Sequence, residues 1–449
     1  MKIRDIKRFW QRLRTLRLPP PALLSMLYLV AIAVGSLLLM LPMSHNGNVG
    51  ISDAIFTSAS AVTVTGLTVL DTGSEFTLFG QMVIAVLIQL GGLGLMTFAV
   101  LLLLALGIPI GMPQRVLLRE NLNQSTTTSN LFVLSRLIIA IACEIVGTIA
   151  LSFVFMPEFG FWAGLWQSLF HSISAFNNAG IQLFPNGLAN WVGDPIVNIT
   201  IPALFIVGGL GFIVVGDIYQ KRAWKPLSLH SKLMLVGTGI LIVFGSVGFG
   251  LLEWSNPDTL GALGHVQDKL WASWFQGVSP RTAGFNTVNI GGLHDSTSIL
   301  MMGLMLVGGG STSTAGGIKV TTLAVLILAT IAFFLRRKTL NAFGRSIGID
   351  EVLKVMALVT ISIMIIFTAI FLISISHDGE FMDLIFEVTS AFATVGLSRG
   401  ETSELGEFGR AIIILAMFIG RVGPLAVGFF LATGSPPRVK YPKGEVYLG

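Results

Sequence analysis

The chain has 449 residues, of which 53% are hydrophobic and 11% are charged, and its mean hydropathy is +0.81. This composition excludes a soluble globular protein and indicates an integral membrane protein. The formal net charge of +5 is interpreted as a sign of membrane topology and not of nucleic-acid binding, because the basic residues are unevenly distributed along the chain.

Eight apolar segments follow one another along the chain, each at least about 20 residues long, the length that crosses a hydrocarbon core of ~30 Å. They lie at 23–41, 79–106, 131–155, 196–218, 233–252, 299–335, 353–375 and 411–431. The first follows a basic stretch, as a signal peptide does. Residues 42–45 offer no small-residue cleavage site, so we expect a retained span.

A short segment ending in glycine recurs between the two spans of each consecutive pair, and an aromatic residue precedes each glycine by ten positions. The glycines are Gly66, Gly180, Gly284 and Gly396, and the aromatic residues are Phe56, Phe170, Trp274 and Phe386. Four copies at a near-constant period indicate four covalent repeats of about 110 residues. The predicted repeats are 1–107, 108–222, 223–338 and 339–449, each a span, a re-entrant segment and a second span.

Each glycine segment is expected to enter the membrane as a half-helix of small residues and to leave it as extended chain. Non-helical backbone at membrane depth is tolerated only where protein shields it or where it lines a water-filled path. Glycine allows backbone angles that are closed to other residues. Four such segments around a pseudo-four-fold axis enclose a pore, in which carbonyl oxygens replace the hydration shell of a monovalent cation. The predicted fold is therefore all-α, with eight transmembrane helices around this pore.

The basic residues predict the orientation. Most of the 28 Lys and Arg residues lie in the two termini and in the connections between repeats, which the positive-inside rule places in the cytoplasm. They include Arg115, Arg119, Lys221, Arg222, Lys225, Arg336, Arg337, Lys338 and Lys440. Most acidic residues lie on the opposite side, where they either raise the local cation concentration or are merely solvated loop charges.

The second span of the third repeat carries the run GGGSTSTAGGIKVTT, from Gly308 to Thr322. A helix does not easily persist through so many glycines and hydroxylated residues, so we predict a non-helical plug at 308–318. A phosphate-binding loop is disfavoured, because Ala315 stands where the pattern requires its second glycine.

Arg421 lies inside an apolar span at the predicted depth of this run. An Arg at the bilayer centre costs at least ~2.5 kcal/mol unless it is paired or hydrated. We expect it to bind the carbonyls of the run or to repel an ion in the pore; the alternative is packing against a carboxylate. Lys319 is expected to extend to the cytoplasm, and Glu144 and Asp217 are expected to pair with basic neighbours without a role in transport.

The glycine segments resemble those of the Trk/Ktr/HKT superfamily of potassium transporters, most closely the membrane subunit of the bacterial Ktr system. The resemblance covers essentially the whole chain and rests on TVTGL at 63–67, NNAGI at 177–181, RTAGF at 281–285 and TVGL at 394–397. Only the fourth copy keeps the Thr-Val-Gly of a tetrameric potassium-channel filter, so we expect fewer well-formed ion sites than in a symmetric channel. In the family, serine at the first glycine favours sodium, so Gly66 points to potassium.

The resemblance implies two sets of functional residues. The implied ion-binding residues, whose carbonyls hold potassium, are Val64, Thr65, Gly66, Asn178, Ala179, Gly180, Thr282, Ala283, Gly284, Thr394, Val395 and Gly396. The implied gate comprises Gly308, Gly309, Gly310, Ser311, Thr312, Ser313, Thr314, Ala315, Gly316, Gly317 and Arg421. We expect the gate and the filter to lie at different levels of one axis.

The resemblance also implies potassium uptake across the bacterial cytoplasmic membrane, a homodimer surrounded by membrane lipids, and a separate cytoplasmic nucleotide-binding ring of the regulator-of-potassium-conductance type. No cofactor is expected in the chain itself besides potassium, or alternatively sodium, as the transported or activating ion. The alternatives are a sodium-coupled or other monovalent-cation carrier, including one for ammonium, and a non-conducting scaffold or receptor. An enzyme is not expected, because the sequence offers no nucleophile together with a base and the six histidines share no metal-ligand spacing.

Overall fold

The computed structural model describes residues 20–47, 49–94, 130–311, 313–337 and 339–423. Several predicted features lie outside the described residues. They are the basic N-terminal stretch, the ends of the second and eighth spans at 95–106 and 424–431, Arg115, Arg119, Thr312, Lys338 and Lys440.

Helices make up most of the described chain. In chain order they are α1 (Pro20–Leu39), α2 (Ile51–Thr63), α3 (Thr72–Glu75), α4 (Leu78–Leu93), α5 (Asn130–Phe159), α6 (Phe161–Phe176), α7 (Pro195–Leu210), α8 (Phe212–Lys221), α9 (Leu229–Glu253), α10 (Val266–Val278), α11 (Asp295–Leu306), α12 (Val320–Phe334), α13 (Ile349–Ser374), α14 (Phe381–Ala393), α15 (Glu401–Glu404) and α16 (Glu407–Val422). Two 3-10 turns lie at Ala189–Trp191 and Leu260–Ala262.

Among the described residues, a small antiparallel hairpin connects α12 to α13. Its strands, β1 (Leu340–Ala342) and β2 (Arg345–Ile347), pair with Leu340 opposite Ile347. Phe343 and Gly344 at the tip both have positive φ angles, as a two-residue type I′ turn requires.

Three of the described helices are long and apolar enough to cross a membrane, and each covers most or all of the predicted first span of a repeat. They are Ser135–Phe159, Leu229–Glu253 and Ile349–Ser374. Large apolar side chains such as Phe153, Leu251 and Phe367 are about three-quarters exposed on them. Exposed apolar surface of this extent is suited to contact with lipid.

The second spans differ from their predicted continuous form. Helices α7 and α8 meet at 92° across Gly211, whose φ is 93°. Gly94 and Gly423, which follow α4 and α16, have φ angles of 84° and 103°. A left-handed residue cannot continue an α-helix, and glycine adopts this conformation without a Cβ penalty. The glycines of the second spans therefore break or end helices, a consequence that the sequence reasoning drew only for the third repeat.

The helices that precede the glycine segments, α2, α6, α10 and α14, are here called the central helices. The aromatic residues Phe56, Phe170 and Phe386 on them are fully buried, and Trp274 is half-buried and donates to the carbonyl of Asn198 at 3.0 Å. The aromatic position of the repeat is thus an anchor in the core of the molecule.

Glycines allow the first helices to approach the central helices closely. A Cβ built at Gly35 would overlap Ser58. One built at Gly147 would overlap both the Ser172 hydroxyl and the Leu204 side chain, which would lie 2.6 Å away. In the third repeat, Gly245 and Gly277 face each other's backbones without room for a side chain. These helix pairs therefore pack with their backbones in close contact.

We expect Gly277→Ala to destabilise the protein, because the added methyl group would overlap the backbone of Ser246 on α9. Overpacking of this kind costs about 1–3 kcal/mol, which exceeds the helix-propensity gain of up to ~1 kcal/mol. Gly239→Ala is the matched control, since a Cβ at Gly239 meets nothing within 4 Å. In a thermal unfolding assay in detergent, Gly277→Ala should lower the midpoint and Gly239→Ala should not. Equal midpoints would contradict the close packing of α9 and α10.

Candidate ion-conduction path

The four glycine segments, 64–66, 178–180, 282–284 and 394–396, share one unusual backbone conformation. Their first residues, Val64, Asn178, Thr282 and Thr394, have φ angles of 57°, 58°, 65° and 53°, and their glycines have φ angles of 96°, 67°, 74° and 93°. The residue between them has a negative φ in every copy. This alternation of hand turns successive N–H groups to one side of the backbone and the carbonyls to the other.

Left-handed backbone is costly at three of these four first positions. Val64, Thr282 and Thr394 are β-branched, and such residues rarely adopt positive φ. Strain of about 1–3 kcal/mol per residue persists only where the surroundings enforce it, and it clusters at functional sites. The shared left-handed conformation, strained in three of the four repeats, marks the segments as a candidate site.

The four segments form a closed ring. A Cβ built at Gly66 would overlap the carbonyl oxygen of Ala179, and one at Gly180 would lie 2.8 Å from that of Ala283. The ring continues from Gly284 to the carbonyl oxygen of Val395 and closes from Gly396 to that of Thr65. Each glycine therefore faces a carbonyl of the next repeat. The structure brings all four predicted segments together.

A serine on or directly after each central helix fastens its glycine segment. Ser60 Oγ accepts from the Gly66 N–H at 3.0 Å, and Ser390 Oγ accepts from the Gly396 N–H at 3.1 Å. Ser174 Oγ donates to the Ile181 carbonyl at 2.8 Å, and Ser279 Oγ donates to the Phe285 carbonyl at 2.5 Å. The sequence reasoning did not identify these serines individually. Their signal was a serine six residues before the glycine in three copies and five before it in the third.

An open cavity of about 830 Å³ lies on one side of the ring and has all four glycines in its lining. Its charged lining residues are Asp71 and Arg399, and Arg399 is ion-paired with Asp383. Backbone and neutral polar groups therefore provide most of the polarity of this cavity. Asp71 is the one acidic residue of this lining.

The predicted plug segment in the third repeat, here called the loop, lies between α11 and α12. The Gly308 N–H donates to the Ile318 carbonyl at 2.8 Å, and the Val320 N–H donates to the Gly309 carbonyl at 3.2 Å. The Gly310 N–H reaches across to the carbonyl of Gly209 at 2.7 Å. The loop thus packs against the bend between α7 and α8.

Arg421 holds the loop to two other repeats. Its guanidinium group donates to the carbonyls of Thr314 in the loop and Gly91 on α4, and its Nε donates to the Tyr28 hydroxyl at 3.3 Å. These partners are carbonyls and a hydroxyl, so the contacts agree with binding to the loop and not with the alternative of a carboxylate partner.

Lys319 does not extend toward the cytoplasm, which makes that prediction wrong. Its Nζ donates to the carbonyls of Ala315 at 2.8 Å and Gly316 at 3.3 Å. The loop brings these carbonyls within reach, and an ammonium group has three donors to satisfy. The Lys319 contacts stabilise the loop from within.

The loop lies in direct contact with the ring. Thr314 Oγ1 donates to Asn178 Oδ1 at 2.7 Å. A Cβ built at Gly308 would lie 3.2 Å from the Thr282 side chain, and one at Gly316 would overlap that of Thr394. The loop therefore contacts the first residue of three of the four glycine segments.

The two other acidic residues singled out in the sequence have structural contacts. Asp217 pairs with Lys221 at 2.6 Å, as expected, and accepts from the Ser231 hydroxyl at 2.6 Å near the start of α9. Glu144 contacts the Asn177 amide at 3.1 Å. This amide also donates to Gln89 Oε1 at 2.7 Å, so Glu144 supports the second glycine segment through a neutral group.

Comparisons with known proteins give one consistent result. The family model described as TrkH, cation transport protein, matches residues 24–436. The chain is 46% identical over 438 residues to the Ktr system potassium uptake protein B of Bacillus subtilis, which covers 97% of this chain and 98% of the relative. It is 37% identical to the potassium/sodium uptake protein NtpJ of Enterococcus hirae, over 96% of this chain and 98% of the relative.

Among solved structures, the crystal structure of the potassium transporter TrkH from Vibrio parahaemolyticus matches with a TM-score of 0.73 at 20% identity. The match covers 91% of this chain and 84% of that one. At this identity the likeness concerns the fold alone.

Proposed function

The chain belongs to the family of TrkH cation transport proteins, and from this membership we propose that it conducts potassium ions across the bacterial cytoplasmic membrane. One observation carries the proposal: four unequal segments with alternating backbone hand close into a single ring. The family consists of transport proteins, in agreement with the expectation that the chain is not an enzyme.

In the proposed mechanism, the ring is the selectivity filter. An ion leaves water in the open cavity and exchanges its hydration shell for carbonyl oxygens of the four glycine segments. The C-terminal ends of the central helices point their partial negative charge at the same place. Because the segments differ in sequence, the ion sites are unequal, and the Thr-Val-Gly of 394–396 contributes the most channel-like quarter.

The proposed topology has four repeats and eight spans with both termini in the cytoplasm. The three long helices and the bent pair α7 and α8 support it, since each belongs to a repeat with its own central helix. The exposed Arg336 and Arg337 after α12 lie on the side that the positive-inside rule makes cytoplasmic.

The loop is the proposed gate. Non-helical backbone below a ring of carbonyls obstructs the axis, and Arg421 and Lys319 place positive charge beside it. Both effects oppose the passage of a cation. Displacement of the loop opens the path in this proposal.

The proposed partners are a second copy of the chain, membrane lipids and a cytoplasmic nucleotide-binding ring. Curated relatives in Bacillus subtilis and Vibrio alginolyticus are each named protein B of a Ktr system, a name that implies a further component for those proteins. Nucleotide control would then act on this chain in trans.

Ion flux into liposomes that contain only the purified chain tests the proposal. Potassium flux that exceeds sodium flux supports a potassium filter. Strictly sodium-dependent potassium flux would favour the coupled carrier, an alternative suggested by the relative named for potassium and sodium uptake. No ion flux from a folded protein would favour the non-conducting scaffold.

We expect Gly66→Ser to reduce the ratio of potassium to sodium permeability. The φ of 96° disfavours any side chain, and the added atoms would meet the carbonyl of Ala179, so the spacing of the ring must change. Gly303→Ser on α11 is the matched control, because a Cβ there meets nothing within 4 Å. An unchanged permeability ratio in the Gly66 variant would remove this residue from the filter.

We expect Arg421→Ala to raise potassium flux in the absence of any regulator, because the loop loses its bonds to α16 and α4. Shortening residues 311–315 should have the same effect, and the two changes should be non-additive because they act on one element. Flux per folded molecule in liposomes is the measurement. A purely structural arginine would instead lower the yield of folded protein and leave that flux unchanged.

We expect neutralisation of Arg336, Arg337 and Lys338 to alanine to weaken binding of the nucleotide-binding partner without a change in ion selectivity. The first two side chains are exposed and contribute charge to the proposed cytoplasmic face. Lys269→Ala on the opposite face is the control. Co-purification with candidate partners measures the effect, and an equally tight complex would place the docking surface elsewhere.

A further inference from the structure

The contact between the loop and the ring is a specific buried hydrogen bond. Thr314 Oγ1 donates to Asn178 Oδ1 at 2.7 Å, and the Phe176 carbonyl lies 3.3 Å from the same hydroxyl. Thr314 and Asn178 are at most 1% exposed. A buried polar group that loses its only strong partner bears the full cost of its desolvation, so the position of the loop and the state of the Asn178 side chain are energetically linked.

The bond continues into a chain of donors that runs through two repeats. Asn178 Nδ2 donates to Thr282 Oγ1 at 3.4 Å, and Thr282 Oγ1 donates to the Arg281 carbonyl at 2.7 Å. Each hydroxyl or amide in the series is oriented by the previous one. A change at Thr314 therefore reaches the first residues of the second and third glycine segments.

Asn178 is the side chain in this ring best able to respond. The equivalent residues Val64, Thr282 and Thr394 are β-branched, which stiffens their first side-chain torsion. Asparagine is not branched at Cβ and tolerates the left-handed backbone that all four positions adopt. Without Thr314, its amide is the group with the most freedom to turn toward the ion path.

We propose that the Thr314–Asn178 hydrogen bond couples the gate loop to the filter, so that ions are selected only while Thr314 holds the Asn178 amide in place. With the loop in place, Thr314 holds the amide in one orientation and the ring keeps its spacing. The path opens by displacement of the loop at Arg421 while Thr314 stays bonded to Asn178, so conducting molecules remain selective. When this bond is lost, the amide is released, and discrimination between potassium and sodium falls. This inference rests on the proposed function of the ring and the loop.

The test compares two variants at one position in the full-length chain in liposomes. Thr314→Val keeps the shape of the side chain and removes the hydroxyl, and it should lower the ratio of potassium to sodium flux several-fold. Thr314→Ser retains the hydroxyl and should keep the wild-type ratio. If both variants have the wild-type ratio, or if both lower it equally, the coupling is overturned.

Ser313→Ala is the matched control in the same loop. Ser313 Oγ bonds to the Gly310 carbonyl at 2.7 Å and the Ala315 N–H at 3.2 Å, so its loss loosens the loop without removing the Asn178 partner. It should raise flux and alter the ratio less than Thr314→Val does. An equal loss of selectivity would mean that general loosening of the loop, and not this bond, sets the ratio.

Asn178→Thr keeps the inference testable if Thr314→Val does not fold. Threonine already occupies the equivalent position in two repeats, and its shorter side chain does not reach Thr314. The variant should lower the ratio, and Thr314→Val should lower it no further in the double variant, because both remove one interaction. Additive effects would refute the coupling. Selective flux in the wild type with unchanged ratios in all variants refutes this inference alone, whereas no wild-type flux refutes the proposed function.

Discussion

The rest of this structure depends on the need to satisfy backbone polar groups where water is scarce. Within a bilayer, a chain that leaves the helical conformation loses its internal partners and must find others. The central helices supply them: the carbonyl of Ser60 accepts from the Thr65 N–H at 2.9 Å, and that of Ser390 accepts from the Val395 N–H at 2.9 Å. The N–H groups are thus used inside each repeat, and in the proposed filter the carbonyls bind the ion.

The third repeat meets the same need with charge. In the loop, the carbonyl of Thr314 accepts from Arg421, and those of Ala315 and Gly316 accept from Lys319. Ammonium and guanidinium groups form stronger hydrogen bonds than neutral donors do, so a short segment without helix remains ordered. In the proposed gate, the same two cations raise the energy of a cation on the axis. One pair of side chains therefore supports the shape of the loop and, in the proposed gate, opposes the passage of ions.

The sequence predicted those features that a single residue type enforces. Glycine was required where φ is positive at Gly66 and its three equivalents, and a charge in an apolar span required polar partners, as Arg421 has. The bend at Gly211 was missed, because a glycine within an apolar run is also compatible with close helix packing. Left-handed Val64 could not be predicted, since its local propensity opposes that conformation. The bond from Thr314 to Asn178 joins positions 136 residues apart, and only the closed ring brings them together.

Covalent linkage explains why the four segments can be unequal. In a ring of identical subunits, a side chain that contacts a gate occurs four times, and a gate loop must occur four times as well. Here the first positions are Val64, Asn178, Thr282 and Thr394, and the loop occupies one repeat only. Each strained residue costs about 1–3 kcal/mol, yet the shared left-handed backbone is kept in every copy while the side chains diverge. The backbone therefore keeps the conformation common to the four segments, and the divergent side chains allow the proposed gate to reside in one repeat only.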